Sequence, residues 1–232
     1  MHRRKANNHD LAMSDKKDLA KADRKEVILE LSAAITSAVP WIGGPVSSVL
    51  NGLGVQRRFE RIQGVLEGMT QDLRDFRSDV SENYVKTDDF QELLEKTLRQ
   101  AAEERNDSKR RLYKDFLVGA TKSPGSSFDE QVRFLKTLEQ IEPDHVRVLQ
   151  ALLADPVDAP SITGSPRQTL MRRLPGLSAD RITELVNGVD DLRLTNGLGR
   201  RLVVMMTGRG SADLRLTLTD FGRKFVESLG AC

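Results

Sequence analysis

The chain has one cysteine in 232 residues, and it is the last residue, Cys232. No intrachain disulfide can form from it, and a reducing cytoplasm is the expected setting. Aromatics are scarce at 5%, so a core is expected to be built mostly from Leu, Val, Ile and Ala. Charge of one sign is also lacking. Lys and Arg number 36 against 34 Asp and Glu, a net +2, which leaves no global basic field of the kind that attracts nucleic acid. By region the balance is 6 basic to 4 acidic over residues 1–23, 18 to 20 over 24–142, and 12 to 10 over 143–232. No repeat with a period of about 20–50 residues is present.

Residues that carry chemistry are thin as well. His145 is the only histidine beyond position 9, and without a second His or an internal Cys it cannot complete a zinc set. A Ser–His–Asp triad would have to use this same histidine, and no GxSxG turn supports one. A helix-start or surface role is the expected reading. The Gly-rich stretches "NGLGRR" (196–201) and "TGRGS" (207–211) lack the phosphate-loop spacing and flank an apolar strand pattern, so they read as turn glycines. Acid pairs such as Asp88–Asp89, Glu103–Glu104 and Asp190–Asp191 read as solvated helix faces. An enzyme is not expected, and neither is a cofactor or a metal.

What the chain has is helical patterning. Residues 1–23 form a polar arm with acids among its bases. They lack the apolar stretch a signal peptide needs, and Met1 and Met13 are both candidate starts. Residues 31–55 then carry no charge at all, and "VPWIGGPVSSVLNGLGV" (39–55) ends that run. Its length would suit a membrane span, but Pro40, Gly43, Gly44 and Pro45 fall near the middle. Freed backbone groups in hydrocarbon cost several kcal/mol each. The breakers instead predict one buried helix over 27–39, a corner, and a short second helix. Burial of Trp41 and Ile42 in such a hairpin would contribute roughly 1.5–3 kcal/mol each. Val39, Trp41, Ile42, Val46, Val49 and Leu50 are the residues this hairpin would turn toward a membrane or partner if the bundle opened.

Residues 55–80 show the clearest period. Val55, Phe59, Ile62, Leu66, Met69, Leu73, Phe76 and Val80 form one stripe at helical spacing, with Arg57, Gln71 and Asp75 opposite. Gly64 and Gly68 lie on the polar side, as exposed glycines or as a point of close approach. "TDDFQELLEKTLRQAAEER" (87–105) predicts a helix capped by Thr87, with Phe90, Leu93, Leu94, Leu98 and Ala101 inside. "NDSKRRLYKDFLVGA" (106–120) either continues it or restarts after a kink at 106–108. Ser127 and Glu130 form a capping box for the next helix, and Pro143 ends that helix and opens another. After the Pro-rich linker 155–166 come short helices over 165–174 and 178–194, a β-hairpin over 201–219, and a last helix capped by Thr219.

The expected architecture is therefore mainly α, with an arm (1–23), a helical bundle carrying the Gly/Pro-broken hairpin (24–142), and an α+β domain (143–232). The succession of three helices, a hairpin and the close "LRLTLTDFGRKFVESL" (214–229) resembles a winged helix. Leu218, Thr219, Gly222 and Phe225 match the LT-x-x-G-x-x-F close of many bacterial winged-helix modules. The bundle resembles small helical bacterial proteins of the abortive-infection alpha type, through 39–55, "DDFQELLEKTL" and "FLKTLEQIEPDHVRVLQAL". That resemblance implies a role in defence against phage and brings no catalytic residue with it.

Two functions stay open on this reading. The first is a non-enzymatic defence or interaction protein. Its partner would be another protein or a second copy of the chain, its winged helix would dock or sense, and the apolar hairpin would reach a membrane only after a conformational change. The second is a DNA-binding regulator with a dimerising or sensing bundle. Its third helix, "SADRITELVNGVDDL" (178–192), offers Arg181, Thr183 and Asn187 but also Asp180, Glu184, Asp190 and Asp191. Arg167, Arg172 and Arg173 on the preceding helix, with Arg200, Arg201 and Arg209 in the wing, would have to supply the phosphate contacts. Six such contacts would give a salt slope of roughly −5.

Overall fold

The computed structural model describes residues 56–75, 81–122, 126–154, 166–196 and 216–230. Among them are nine helices: α1 (Gln56–Asp75), α2 (Glu82–Val85), α3 (Asp88–Glu103), α4 (Asp107–Lys122), α5 (Phe128–Gln140), α6 (Pro143–Ala154), α7 (Pro166–Arg173), α8 (Ala179–Asp191) and α9 (Asp220–Ser228). The fold is mainly α. The arm, the 27–55 segment and most of the expected β-hairpin lie outside the described residues.

Hydroxyl side chains set four of the helix starts. Thr87, Ser127, Ser178 and Thr219 sit in extended backbone, and each Oγ accepts a hydrogen bond from the N–H three residues on. Each bond satisfies a donor that a first helical turn leaves unpaired. The Ser127 box closes on one side only, because Glu130 accepts instead from Lys224 of α9, at 3.0 Å. At 106–108 the chain restarts rather than continues. Asn106 Oδ1 accepts from the N–H groups of Ser108 (2.9 Å) and Lys109 (3.3 Å), giving α4 its own cap.

The stripe on α1 is buried where it is described: Phe59, Ile62, Leu66, Met69 and Leu73 are all at most 2% exposed. It packs on α4 and α3, which bring Tyr113, Phe116 and Leu117, and Phe90, Leu93, Leu94 and Leu98. Gly68 has a purpose inside the chain. The Lys114 stem crosses α1 there, with Cδ 2.9 Å from where a Cβ would stand, and its Nζ reaches Asp72 at 2.6 Å. Burial opposes the charge on Lys114, but hydrogen bonds to Asp72 and Asp115 outweigh it and raise its pKa. Gly64 faces open space.

The main core does not stop at Pro143. Val146 and Leu149 of α6, Val189 of α8, Leu194, and Phe225 and Val226 of α9 belong to the same buried cluster as α1, α3, α4 and α5. Phe134 of α5 stacks near Phe221 and Phe225, with ring centroids 5.3 and 6.0 Å apart. A smaller cluster lies on the other side of α6, where Val148 and Leu152 meet Leu170, Leu174, Ile182, Leu185, Val186 and Leu216. Helix α6 thus serves two cores at once, one on each face.

Among the described residues no strand forms. An isolated antiparallel bridge joins Thr195 to Leu218, with the Asn196 N–H donating to the Thr217 carbonyl (3.1 Å) and the Thr219 N–H to that of Leu194 (3.0 Å). The chain leaves α8 through Arg193, whose φ of 59° puts a non-glycine residue in the left-handed region.

Candidate functional site

Helix α8 carries the polar residues expected to read a ligand, and Arg181 and Thr183 are engaged within the chain. The Arg181 guanidinium pairs with Glu184 at 2.9 Å, with Glu142, and with Asp144 at 4.0 Å. Those carboxylates push its pKa further up, Glu184 foremost and then Glu142. Thr183 Oγ1 donates back to the Ala179 carbonyl at 2.9 Å. Asn187 Oδ1 is buried with no hydrogen-bond partner among the described residues. Asp180, Glu184 and Asp191 are exposed. The outward face of α8 is therefore acidic.

Arg172 is exposed on α7 and reaches Thr169 Oγ1 at 3.4 Å, while Arg173 turns to the Ala151 carbonyl near the end of α6, at 3.3 Å. Arg167 lies in α7, with its side chain outside the described residues. Arg200, Arg201 and Arg209 also lie outside them, as do Val39, Trp41, Ile42, Val46, Val49 and Leu50. Of the expected DNA-contact set, the described structure thus places Arg172, Arg173 and Arg181, and each makes these contacts with groups of the chain itself.

His145 occupies a helix-start position. Its Nδ1 accepts the Glu142 N–H at 3.0 Å. Burial lowers its pKa; Arg181 acts in the same direction, while Glu142, Glu184 and Asp144 oppose it. No group of three His, Cys, Asp or Glu residues that could hold a metal ion occurs among the described residues. An open cleft of about 300 Å³ lies where α9 meets α4 and α5, lined in part by Gln131, Lys224, Glu227 and Ser228. The Lys224 ammonium beside it holds the Glu130 carboxyl below the usual glutamate range. The pair is a clip between α5 and α9.

Sequence reasoning missed a second basic region, at the meeting of α1, α3 and α4. One cleft of about 500 Å³ is lined by Arg57, Arg58, Arg61, Glu103 and Arg105. A neighbouring one of about 230 Å³ shares Arg61 and adds Arg110, Arg111 and Lys114, with Glu60 and Asp107. Arg61 donates to the Ala102 and Glu103 carbonyls at 3.0 and 3.2 Å, and Arg110 to those of Glu104 and Arg105 at 3.0 Å. These two arginines satisfy carbonyls that the end of α3 leaves unpaired. Arg58 pairs with Glu103 at 2.9 Å. The exposed side chains of Arg57, Arg105 and Arg111 make no hydrogen bond or ion pair with the described residues. The regional balance of 18 bases to 20 acids hid this cluster. The local signals were "RRFER" (57–61) and "ERNDSKRR" (104–111), two short basic runs that the fold places side by side.

No known protein family, curated protein or solved structure matches the chain. Among the described residues no helix is long and apolar enough to cross a membrane.

Proposed function

We propose that the chain is a non-enzymatic helical interaction protein of bacterial defence, acting in the cytoplasm through abortive infection. Its C-terminal part is a winged-helix-like module that docks a protein or senses a signal, and its apolar 31–55 segment is held back until the bundle opens. One observation carries the docking role: Arg181 is paired with carboxylates and Thr183 with a backbone carbonyl inside the chain, while Asp180 and Asp191 are exposed on α8 beside Glu184, the partner of Arg181. An acidic outer face repels phosphates and suits a protein surface. The Thr195–Leu218 bridge brings the chain before the expected hairpin (201–219) against the last residues of that hairpin.

Two measurements test the proposal. Expression in a bacterial host should arrest growth once the bundle is triggered, with dye release from liposomes. A protein that never arrests growth and never releases dye loses the membrane part of the reading. In a gel-shift series the wild type should show no salt-sensitive DNA binding. Binding that is salt-sensitive and disappears in the Arg172→Ala, Arg173→Ala, Arg200→Ala, Arg201→Ala variant would replace docking with the regulator.

A further inference from the structure

We infer that the arginine-lined surface at the junction of α1, α3 and α4 docks on the phosphate headgroups of an anionic membrane. The inference rests on the membrane part of the function proposed above and assigns that function a landing surface. The two adjoining clefts are lined by seven cations and three carboxylates, and Lys114 among them is paired with Asp72 and Asp115. Within them the work is divided. Arg61 and Arg110 are spent on the carbonyls at the end of α3, and Arg58 on Glu103. Arg57, Arg105 and Arg111 stay exposed and unengaged among the described residues, on the same surface. Guanidinium groups present forked donors that match phosphate oxygens.

Sequence continuity selects the source of the phosphate. Residues 31–56 form the longest uncharged stretch of the chain, and Arg57 and Arg58, directly after it, open the basic surface. A cationic cluster abutting an apolar stretch is the arrangement that adds headgroup attraction to hydrocarbon insertion. A nucleic-acid backbone would use the cations alone.

The test is co-sedimentation of the full chain with vesicles of phosphatidylglycerol and phosphatidylcholine, against vesicles of phosphatidylcholine alone. Wild type should bind the anionic vesicles only, and less as salt rises. Each basic residue near an anionic surface contributes roughly fivefold to partitioning, so Arg57→Gln, Arg105→Gln, Arg111→Gln together should lose roughly a hundred-fold. A matched variant, Lys136→Gln, Arg193→Gln, Arg223→Gln, removes equal charge elsewhere and should bind like wild type. Circular dichroism checks that both variants remain helical. Equal binding to both vesicle types, or equal losses in the two variants, overturns the inference. So does duplex DNA binding that the first variant loses while vesicle binding is absent. Dye release read in parallel separates the two claims: binding without release keeps the landing surface and removes the membrane-opening function.

Discussion

The backbone carbonyl of Ser228 lies where a Cβ on Gly119 would stand, so α4 and the end of α9 meet at backbone distance. Alanine at 119 would have to displace main chain rather than the tip of a flexible side chain. Gly119→Ala should therefore destabilise the protein by about 1–3 kcal/mol from overpacking, more than the gain in helix propensity of up to ~1 kcal/mol. Gly64→Ala, in open space on the exposed side of α1, should show that gain alone. Urea unfolding of the two variants checks the pair, and a Gly119→Ala protein as stable as wild type would refute the close approach.

Phe225 is fully buried and stands 6.0 Å from Phe134, across the chain from α9 to α5. Truncation to alanine should cost about 3–5 kcal/mol. Because the cluster is shared, the loss should reach α3, α4 and α5 as well as α6 and α9. Amide exchange should quicken at Leu98 and Leu138 as much as at Leu149. Acceleration confined to residues beyond 143 would mean that the two parts unfold separately.

The helices were legible because their signals are local. A threonine or serine before an acidic first turn, and apolar residues at three- and four-residue steps, act within one element, and Thr87, Ser127, Ser178 and Thr219 all cap as expected. The Leu218–Phe225 close also acquires a physical reason. Thr219 caps α9, a Cβ on Gly222 would meet the Leu194 carbonyl, and Phe225 fills the core. Two things were not legible. The basic surface needs residues 57–61 and 105–111 to be neighbours, which only the packing of α1 on α3 and α4 decides. The fate of Arg181 depended on Glu142, 39 residues away. Charge counts along a sequence carry no such pairing.

Arg181 ties α8 to the start of α6 through Glu142 and Asp144. The carboxylates are partly solvated, so the bond should be modest. A double-mutant cycle with Arg181→Ala and Glu142→Ala should give a coupling of under ~1 kcal/mol that shrinks as salt is raised. A coupling insensitive to salt would mean that packing of the arginine stem, rather than its charge, holds the two helices.

His145 should give the protein a dependence on mild acid. Burial lowers its pKa in the folded chain below the unfolded value near 6.5, helped by Arg181 and opposed by Glu142, Glu184 and Asp144. The unfolded chain thus binds the proton more readily, and stability must rise with pH across the interval between the two values. As pH falls through that interval, Nδ1 takes up a proton and can no longer accept the Glu142 N–H. His145→Asn keeps an acceptor of similar reach and removes the titration. Wild type should lose stability on acidification from pH 7 toward 5.5, and His145→Asn should lose clearly less. Identical slopes for the two proteins in thermal unfolding across that range would dismiss the histidine as the source.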